Sequence, residues 1–166
     1  MKRAISLAAA LAFLCAPAAL AAPPPIPFGF FCAAHPADCQ PARASSIELT
    51  DEAMAILKSA NRQVNRSIRP ARDAADAWEL NPASGDCEDY ALSKRHLLLG
   101  AGIDAGALRI GIGEAVGETH AVLIVITDRG PLVLDNQIGA IRPLASSGFR
   151  LSWLSGANPM RWERGL

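Results

Sequence analysis

An uninterrupted apolar run, Ala121 to Ile126, constrains the fold of this chain more than any other feature. Such a run is typical of a strand that is buried on both faces, so we predict a central strand over residues 119–127. Asp128-Arg129-Gly130 then supplies a turn. Further strands are predicted in the segments 107–112, 132–134, 141–144 and 149–154. Because helices precede these strands, the predicted fold class is α+β with an antiparallel sheet.

Two helices are predicted ahead of the sheet. The first begins at Thr50, a suitable N-cap followed by two acids, and ends before Arg69-Pro70. The second begins after Gly85, carries acids in its first turn, and ends near Gly100. We interpret residues 71–85, between the two helices, as a linker.

Residues 1–21 are predicted to be a secretory signal peptide. Lys2-Arg3 forms the charged start, an apolar stretch follows, and Ala19-Leu20-Ala21 provides a small-residue cleavage site. Removal of this peptide leaves a mature chain that begins at Ala22. We therefore expect the protein to work in the periplasm or outside the cell.

Residues 22–46 are rich in proline and are predicted to form an extended arm on a domain that spans residues 47–166. Three aromatic side chains are expected to dock this arm: Phe28, Phe30 and Phe31. Cys32 and Cys39 are close enough in sequence to close a small loop as a disulfide in an oxidising compartment. Cys87 is then unpaired, which fits either a reactive thiol or a buried structural cysteine.

Composition and charge exclude some classes of function. Apolar residues make up 51% of the chain and charged residues 19%, which is typical of a globular protein and not of a disordered one. The formal net charge is zero, and no run of lysine and arginine is longer than two residues. Nucleic-acid binding therefore has no electrostatic support. No long heptad pattern indicates an obligate assembly, so we expect a monomer.

Cys87 stands at the start of the second predicted helix, with Asp86, Glu88 and Asp89 around it. At a helix N-terminus the unpaired N–H groups and the helix dipole lower a thiol pKa from about 8.5, and the same groups can hold an oxyanion. Neighbouring carboxylates act against this effect because negative charge raises a thiol pKa. The three acids either point away and cap the helix or bind a hard cation such as Ca²⁺.

His120 and Asp135 are the candidate partners of Cys87. They flank the predicted turn, so their strands run antiparallel, and opposite residues have numbers that sum to about 257 or 258. If this sum is 257, the side chains of His120 and Asp135 are diagonal neighbours on one face of the sheet, where Asp135 can accept a hydrogen bond from the imidazole. If the sum is 258, the two side chains lie on opposite faces of the sheet. Cys, His and Asp in this order predict a nucleophile, its base and the residue that orients the base.

Three motifs resemble the bacterial transglutaminase-like cysteine peptidases, which include the LapG-type periplasmic proteases. They are Gly85-Asp86-Cys87-Glu88-Asp89-Tyr90-Ala91-Leu92, Thr119-His120-Ala121-Val122-Leu123 and Leu134-Asp135-Asn136. The resemblance extends upstream to residues 31–39 and 64–70. It implies a papain-like, transglutaminase-like fold in which a nucleophile helix packs on an antiparallel sheet.

The resemblance also implies roles and partners. By position, the nucleophile, base and orienting residue correspond to Cys87, His120 and Asp135. The calcium-binding carboxylates correspond to Asp86, Glu88 and Asp89. The implied partners are a protein substrate such as a large surface adhesin, whose cleavage releases biofilm cells, and a regulatory receptor in the inner membrane.

These residues predict a periplasmic cysteine endopeptidase with a Cys-His-Asp triad, and the resemblance implies that it binds calcium. Three alternatives stay open at this point. An amine could replace water as the acceptor, which would make the protein a protein-glutamine acyltransferase. The scaffold could also serve as a non-catalytic, calcium-dependent binding or regulatory module. A zinc site of Cys87, His120 and Asp135 is the weakest alternative because it has a single thiolate.

Overall fold

The apolar run predicted as a central strand lies within a six-stranded antiparallel sheet. The structure is a computed structural model that describes residues 21–72 and 77–165. The strands of this part of the chain are β1 (Arg69–Pro70), β2 (Ser84–Gly85), β3 (Leu108–Ala115), β4 (Glu118–Val125), β5 (Leu132–Leu134), β6 (Arg142–Pro143), β7 (Arg150–Ser155) and β8 (Trp162–Arg164). The last six form one sheet in the order β6-β5-β4-β3-β7-β8.

Helices cover one face of this sheet, which confirms the predicted α+β class. They are α1 (Ile26–Ala34), α2 (Asp51–Ser67) and α3 (Cys87–Gly100), with short 3₁₀ turns at Pro36–Cys39, Ala105–Ala107 and Leu144–Ser146. The helix α3 packs on β4 and on α2, so it lies between the sheet and α2.

The strand β4 is central because it pairs with β3 on one side and with β5 on the other. Its residues from His120 to Val125 are all buried. Their backbone groups bond to both neighbours, so this strand can be apolar on both faces. In β3, a Cβ atom at Gly113 would lie 2.1 Å from the carbonyl oxygen of Arg150. Glycine is therefore needed opposite His120 for β7 to approach.

Both predicted long helices are confirmed. Thr50 caps α2, since its Oγ1 atom accepts a hydrogen bond from the N–H of Ala53 at 3.1 Å. The apolar side chains of Leu57 and Val64 face the core. In α3 the charged side chains of Lys94 and Arg95 are also buried, with exposures of 1% and 4%.

The segment predicted as an extended arm, residues 22–46, is instead partly helical. It contains α1, and Pro27 sits in its first turn, where a missing N–H costs nothing. The proline content was therefore a poor guide to extended structure here. Phe28 and Phe31 are buried in the same core as α2 and α3, whereas Phe30 is 72% exposed.

The short β1–β2 pair lies inside and next to the segment interpreted as a linker. It places Pro70 beside Gly85, two residues before Cys87. A Cβ atom at Gly85 would lie 2.0 Å from Oδ2 of Asp89, so only glycine fits against that carboxylate. The pair thus fixes the approach of the chain to the start of α3. The strand β8 was not predicted because it is short and two of its three residues are exposed.

The N-terminal disulfide is present, whereas the predicted signal peptide cannot be compared with the fold. Cys32 and Cys39 are bonded to each other, and Cys87 is the free cysteine within the described residues. The predicted signal peptide, residues 1–21, lies outside the described residues except for Ala21. Across residues 21–72 and 77–165, no helix combines the length and apolar character needed to cross a membrane.

Candidate active site

The start of α3 is held by a reciprocal cap. Asp86 is the N-cap residue, as predicted, and its N–H donates to Oδ2 of Asp89 at 3.2 Å. The other oxygen of Asp89 accepts the N–H of Glu79 at 2.7 Å. Asp89 is thus engaged with the backbone on two sides. Its carboxylate fixes the first turn of α3, on which Cys87 is the first residue.

The Cys87 thiol is half-buried and donates a hydrogen bond to Oε2 of Glu88 at 3.2 Å. Burial, and to a lesser extent the charges of Glu88 and Asp86, raise the pKa of the Cys87 thiol to about 12. A backbone hydrogen bond from Ala121 lowers this pKa, but by less than burial raises it. In this arrangement the thiol is protonated and directed at the carboxyl group of Glu88.

Asp86 and Glu88 form a pair of carboxyl groups beside the thiol. Burial, and then a hydrogen bond to Asp86, raise the pKa of Glu88 to about 8. Glu88 therefore favours its protonated form near neutral pH. The Oδ1 atom of Asp86 is buried and has no hydrogen-bond partner. This one oxygen atom is consequently available for a further ligand.

His120 and Asp135 meet because the β4–β5 hairpin adopts the first of the two registers considered. Leu123 lies opposite Leu134, so paired numbers sum to 257. The Nε2 atom of His120 lies 2.8 Å from Oδ1 of Asp135, and both side chains are buried. Burial raises the pKa of Asp135, but the hydrogen bonds from His120 and from the Gln137 N–H lower it more, and the net shift is downward.

Cys87 and His120 line the same cleft, which has a volume of about 720 Å³. The remaining walls come from the β1–β2 region, from the start of β4 and from the residues after β5: Pro70, Ala71, Arg72, Gly85, Asp86, Glu118, Thr119, Asn136 and Gln137. Because Nε2 of His120 faces Asp135, its Nδ1 atom is the nitrogen left for the cleft side. A carboxylate-bound imidazole and a thiol on one cleft can carry out acyl chemistry.

Gln137 is a site residue that the sequence did not single out. Its N–H donates to Oδ1 of Asp135 at 2.9 Å, and its Nε2 atom lies 3.5 Å from Nδ1 of His120. Gln137 therefore contacts both His120 and Asp135. Its position two residues after Asp135, in a segment that ends a strand, was the available signal.

The other two histidines, His35 and His96, are not among the residues that line this cleft. His96 pairs with Asp38 through Nδ1 and Oδ1 at 2.8 Å, and His35 packs on the ring of Phe31. In the part of the chain that the structure describes, no group of three or more histidine, cysteine, aspartate or glutamate side chains is arranged to hold a metal ion.

This fold and this cleft correspond to a known class of proteins. The sequence profile of the bacterial transglutaminase-like cysteine proteinases matches residues 19–164. Since this match covers most of the chain, the protein belongs to that family and is a cysteine peptidase with a transglutaminase-like fold. A comparison with curated protein sequences finds no significant match.

Solved structures of LapG from Legionella pneumophila share the fold. The calcium-bound form is 23% identical, with a TM-score of 0.58 over 69% of this chain and 72% of that chain. The EGTA-treated form is 21% identical, with a TM-score of 0.52 over 61% and 62% of the two chains. A further LapG structure is 22% identical, with a TM-score of 0.52 over 61% and 64%.

Proposed function

We propose that the protein is a periplasmic cysteine endopeptidase in which Cys87 is the nucleophile, His120 the base and Asp135 the residue that orients His120. The observation that carries this proposal is the buried 2.8 Å hydrogen bond between His120 and Asp135, on the cleft that Cys87 also lines. A carboxylate bonded to one imidazole nitrogen fixes the tautomer and leaves the other nitrogen as the base.

In the proposed reaction, Sγ of Cys87 attacks a backbone carbonyl of the substrate while the thiol proton passes to Nδ1 of His120. The carbonyl oxygen becomes an oxyanion, which first-turn N–H groups of α3 can hold. As the C–N bond breaks, the imidazolium gives its proton to the leaving amine. Water then attacks the thioester, with His120 again as the base, and the thiol is regenerated.

The hydrogen bond between Cys87 and Glu88 competes with this reaction. In the structure the thiol donates to Oε2 of Glu88, so its proton is directed away from His120. A change at Glu88 is therefore needed before the imidazole can take the proton. This requirement links the acids around Cys87 to the activity of the triad.

Asp86 and Glu88 are suited to hold a calcium ion. Carboxylate oxygens are the ligands that Ca²⁺ prefers, and the buried Oδ1 atom of Asp86 has no hydrogen-bond partner. Asp89 is less suited because both of its oxygens already accept backbone N–H groups. When bound, calcium supplies positive charge that offsets the carboxylates beside the Cys87 thiol.

Removal of calcium is therefore expected to lower kcat/KM by about tenfold or more. This is the size of effect expected when one uncompensated charge lies beside a reacting group. Replacing Glu88 with glutamine should raise the calcium concentration required for half-maximal activity. The measurement is peptide hydrolysis over a calcium titration, starting from EGTA. Glu52→Gln, an exposed acid on α2, is the matched control and should leave the titration unchanged. Equal rates in EGTA and in calcium would contradict this role.

We place the enzyme's action outside the cytoplasm, on an exported protein such as a large surface adhesin. The predicted signal peptide and the disulfide between Cys32 and Cys39 support export. Control by a receptor in the inner membrane is part of the same proposal, as is action as a monomer.

The proposed function is tested with a chain that begins at Ala22, incubated with unfolded exported proteins and calcium. New N-termini are mapped by mass spectrometry, and a labelled primary amine is included. We expect discrete cut sites and no label on glutamine. Label on glutamine without cleavage would identify an acyltransferase. Calcium binding without either reaction would identify a non-catalytic binding module.

A further inference from the structure

We infer that Gln137 is a positioning residue for the proposed base, because it contacts both His120 and the carboxylate that orients His120. The inference rests on the roles proposed above for His120 and Asp135. The backbone N–H of Gln137 holds Asp135, and its side-chain amide holds the cleft nitrogen of the imidazole until the thiol proton arrives there. Gln137 lines the same cleft as Cys87 and His120.

The backbone of Gln137 is fixed by hydrogen bonds around it. Its N–H donates to Oδ1 of Asp135 at 2.9 Å, which closes an Asx turn. From α2, the Nδ2 atom of Asn65 donates to the carbonyl of Asp135 at 2.9 Å. One turn earlier on α2, the Nδ2 atom of Asn61 donates to the carbonyl of Gly139 at 3.1 Å. This loop is therefore anchored at both of its ends, with Gln137 at its middle.

The side-chain amide of Gln137 donates to His120. Its Nε2 atom lies 3.5 Å from Nδ1 of the imidazole. The other ring nitrogen of His120, Nε2, lies 2.8 Å from Oδ1 of Asp135. Since a carboxylate can only accept, Nε2 of His120 carries the proton and Nδ1 is the acceptor for the amide. The imidazole is thus held at both of its nitrogens.

The contact between Gln137 and His120 can be given up during the reaction. A distance of 3.5 Å is near the limit for a hydrogen bond, so the contact is weak and the thiol of Cys87 can replace it. An amide also carries an acceptor oxygen beside its NH₂ donor. Once Nδ1 has taken the thiol proton, the amide can turn and accept from it. Glutamine therefore suits both protonation states of the base, which neither a carboxylate nor an apolar side chain does.

The test compares Gln137→Glu with Gln137→Met and reads the protonation of His120 by 15N NMR at neutral pH. In the wild-type protein we expect the proton on Nε2 and none on Nδ1. Gln137→Glu should add a proton at Nδ1, because the new carboxylate can only accept. Gln137→Met should leave Nδ1 without a proton. Both variants should fold, since Gln137 is exposed, and thermal unfolding checks this.

In the peptidase assay, Gln137→Glu should be the more harmful change although it keeps the shape of the side chain. A base that already carries a proton at Nδ1 cannot take one from Cys87. We therefore expect kcat to fall by about 100-fold or more, the contribution of a general base. Gln137→Met loses only the support of the ring, so its kcat should fall by about tenfold, as for a modestly misplaced catalytic group. A role in packing alone predicts the reverse order.

Gln40→Glu is the matched control. Gln40 is also exposed, and its Nε2 atom donates to the carbonyl of Pro36 at 2.8 Å, outside the cleft. This variant should change neither the 15N signals of His120 nor kcat.

The inference is overturned if Gln137→Glu leaves Nδ1 of His120 without a proton, or if that variant is at least as active as Gln137→Met. The NMR measurement does not depend on catalysis. A wild-type protein without peptidase activity would overturn the proposed function and the positioning role with it. The NMR comparison would still show whether Gln137 sets the protonation of His120.

Discussion

Replacement of Cys87 with alanine is expected to lower kcat/KM by at least about 1,000-fold, since removal of a nucleophile from a triad eliminates covalent catalysis. The fold should survive. Cys87 is the first residue of α3, where alanine is a good helix former, and its thiol bonds through Sγ to Glu88 at the edge of a cleft. The measurement is steady-state peptide hydrolysis, together with thermal unfolding.

The matched control for this variant is Cys87→Ser, which keeps a hydroxyl at the same position. It should also be strongly impaired, because a serine hydroxyl is far less acidic than a thiol and this site was built around a thiol. Full activity of Cys87→Ala with an unchanged melting temperature would show that the chemistry lies elsewhere. The binding-module alternative would then account better for the cleft.

Replacement of Asp135 with asparagine is expected to lower kcat by about 1,000- to 10,000-fold, as comparable substitutions do in serine triads. The volume hardly changes. The Oδ1 atom of Asp135 accepts from both His120 Nε2 and the Gln137 N–H. An amide at this position loses the negative charge that stabilises the imidazolium and can turn its NH₂ group toward His120, which selects the wrong tautomer.

Asp128→Asn is the control for this second variant. Asp128 is exposed, and its Oδ1 atom also accepts a backbone N–H, that of Leu49 at 2.8 Å. The Asp128→Asn variant therefore removes a similar carboxylate outside the cleft. Its kcat should stay within about twofold of the wild-type value. If Asp135→Asn retained more than about a tenth of the wild-type kcat, Asp135 would not be the residue that orients the base.

Those parts of the site that follow from local rules were predictable from the sequence. The apolar run 121–126 determined the central strand, and the turn after it limited the β4–β5 register to two choices. Only one of these placed His120 and Asp135 on the same face, and this is the one observed. The start of α3 followed from the acids that cap it.

Other features depend on long-range packing, which a single sequence does not reveal. Lys94 and Arg95 resemble solvent-facing charges, and only the packing of α3 between β4 and α2 shows that they are buried. The prolines of residues 22–46 suggested an extended arm, but a proline in the first turn is compatible with the helix α1. Gln137 is a site residue only because the chain bends back after β5.

The role of the acids around Cys87 was left open by the sequence, and the structure separates them. Asp89 caps the helix and holds the N–H of Glu79. Burial and a hydrogen bond to Asp86 raise the pKa of Glu88 beside the thiol, and the Oδ1 atom of Asp86 lacks a hydrogen-bond partner. Asp89 thus serves the helix cap, whereas the calcium proposal relies on Asp86 and Glu88.

The most direct test of the account is the alkylation rate of Cys87 by iodoacetamide between about pH 6 and pH 9, with calcium or EGTA, followed by mass spectrometry. In the chain that begins at Ala22, Cys32 and Cys39 are bonded to each other, so Cys87 is the thiol that iodoacetamide can alkylate. We predict rapid labelling with calcium well below the ordinary thiol pKa of about 8.5, and slow labelling in EGTA or in His120→Ala. Labelling that is equally slow in all these conditions would contradict an activated thiol and imidazole pair.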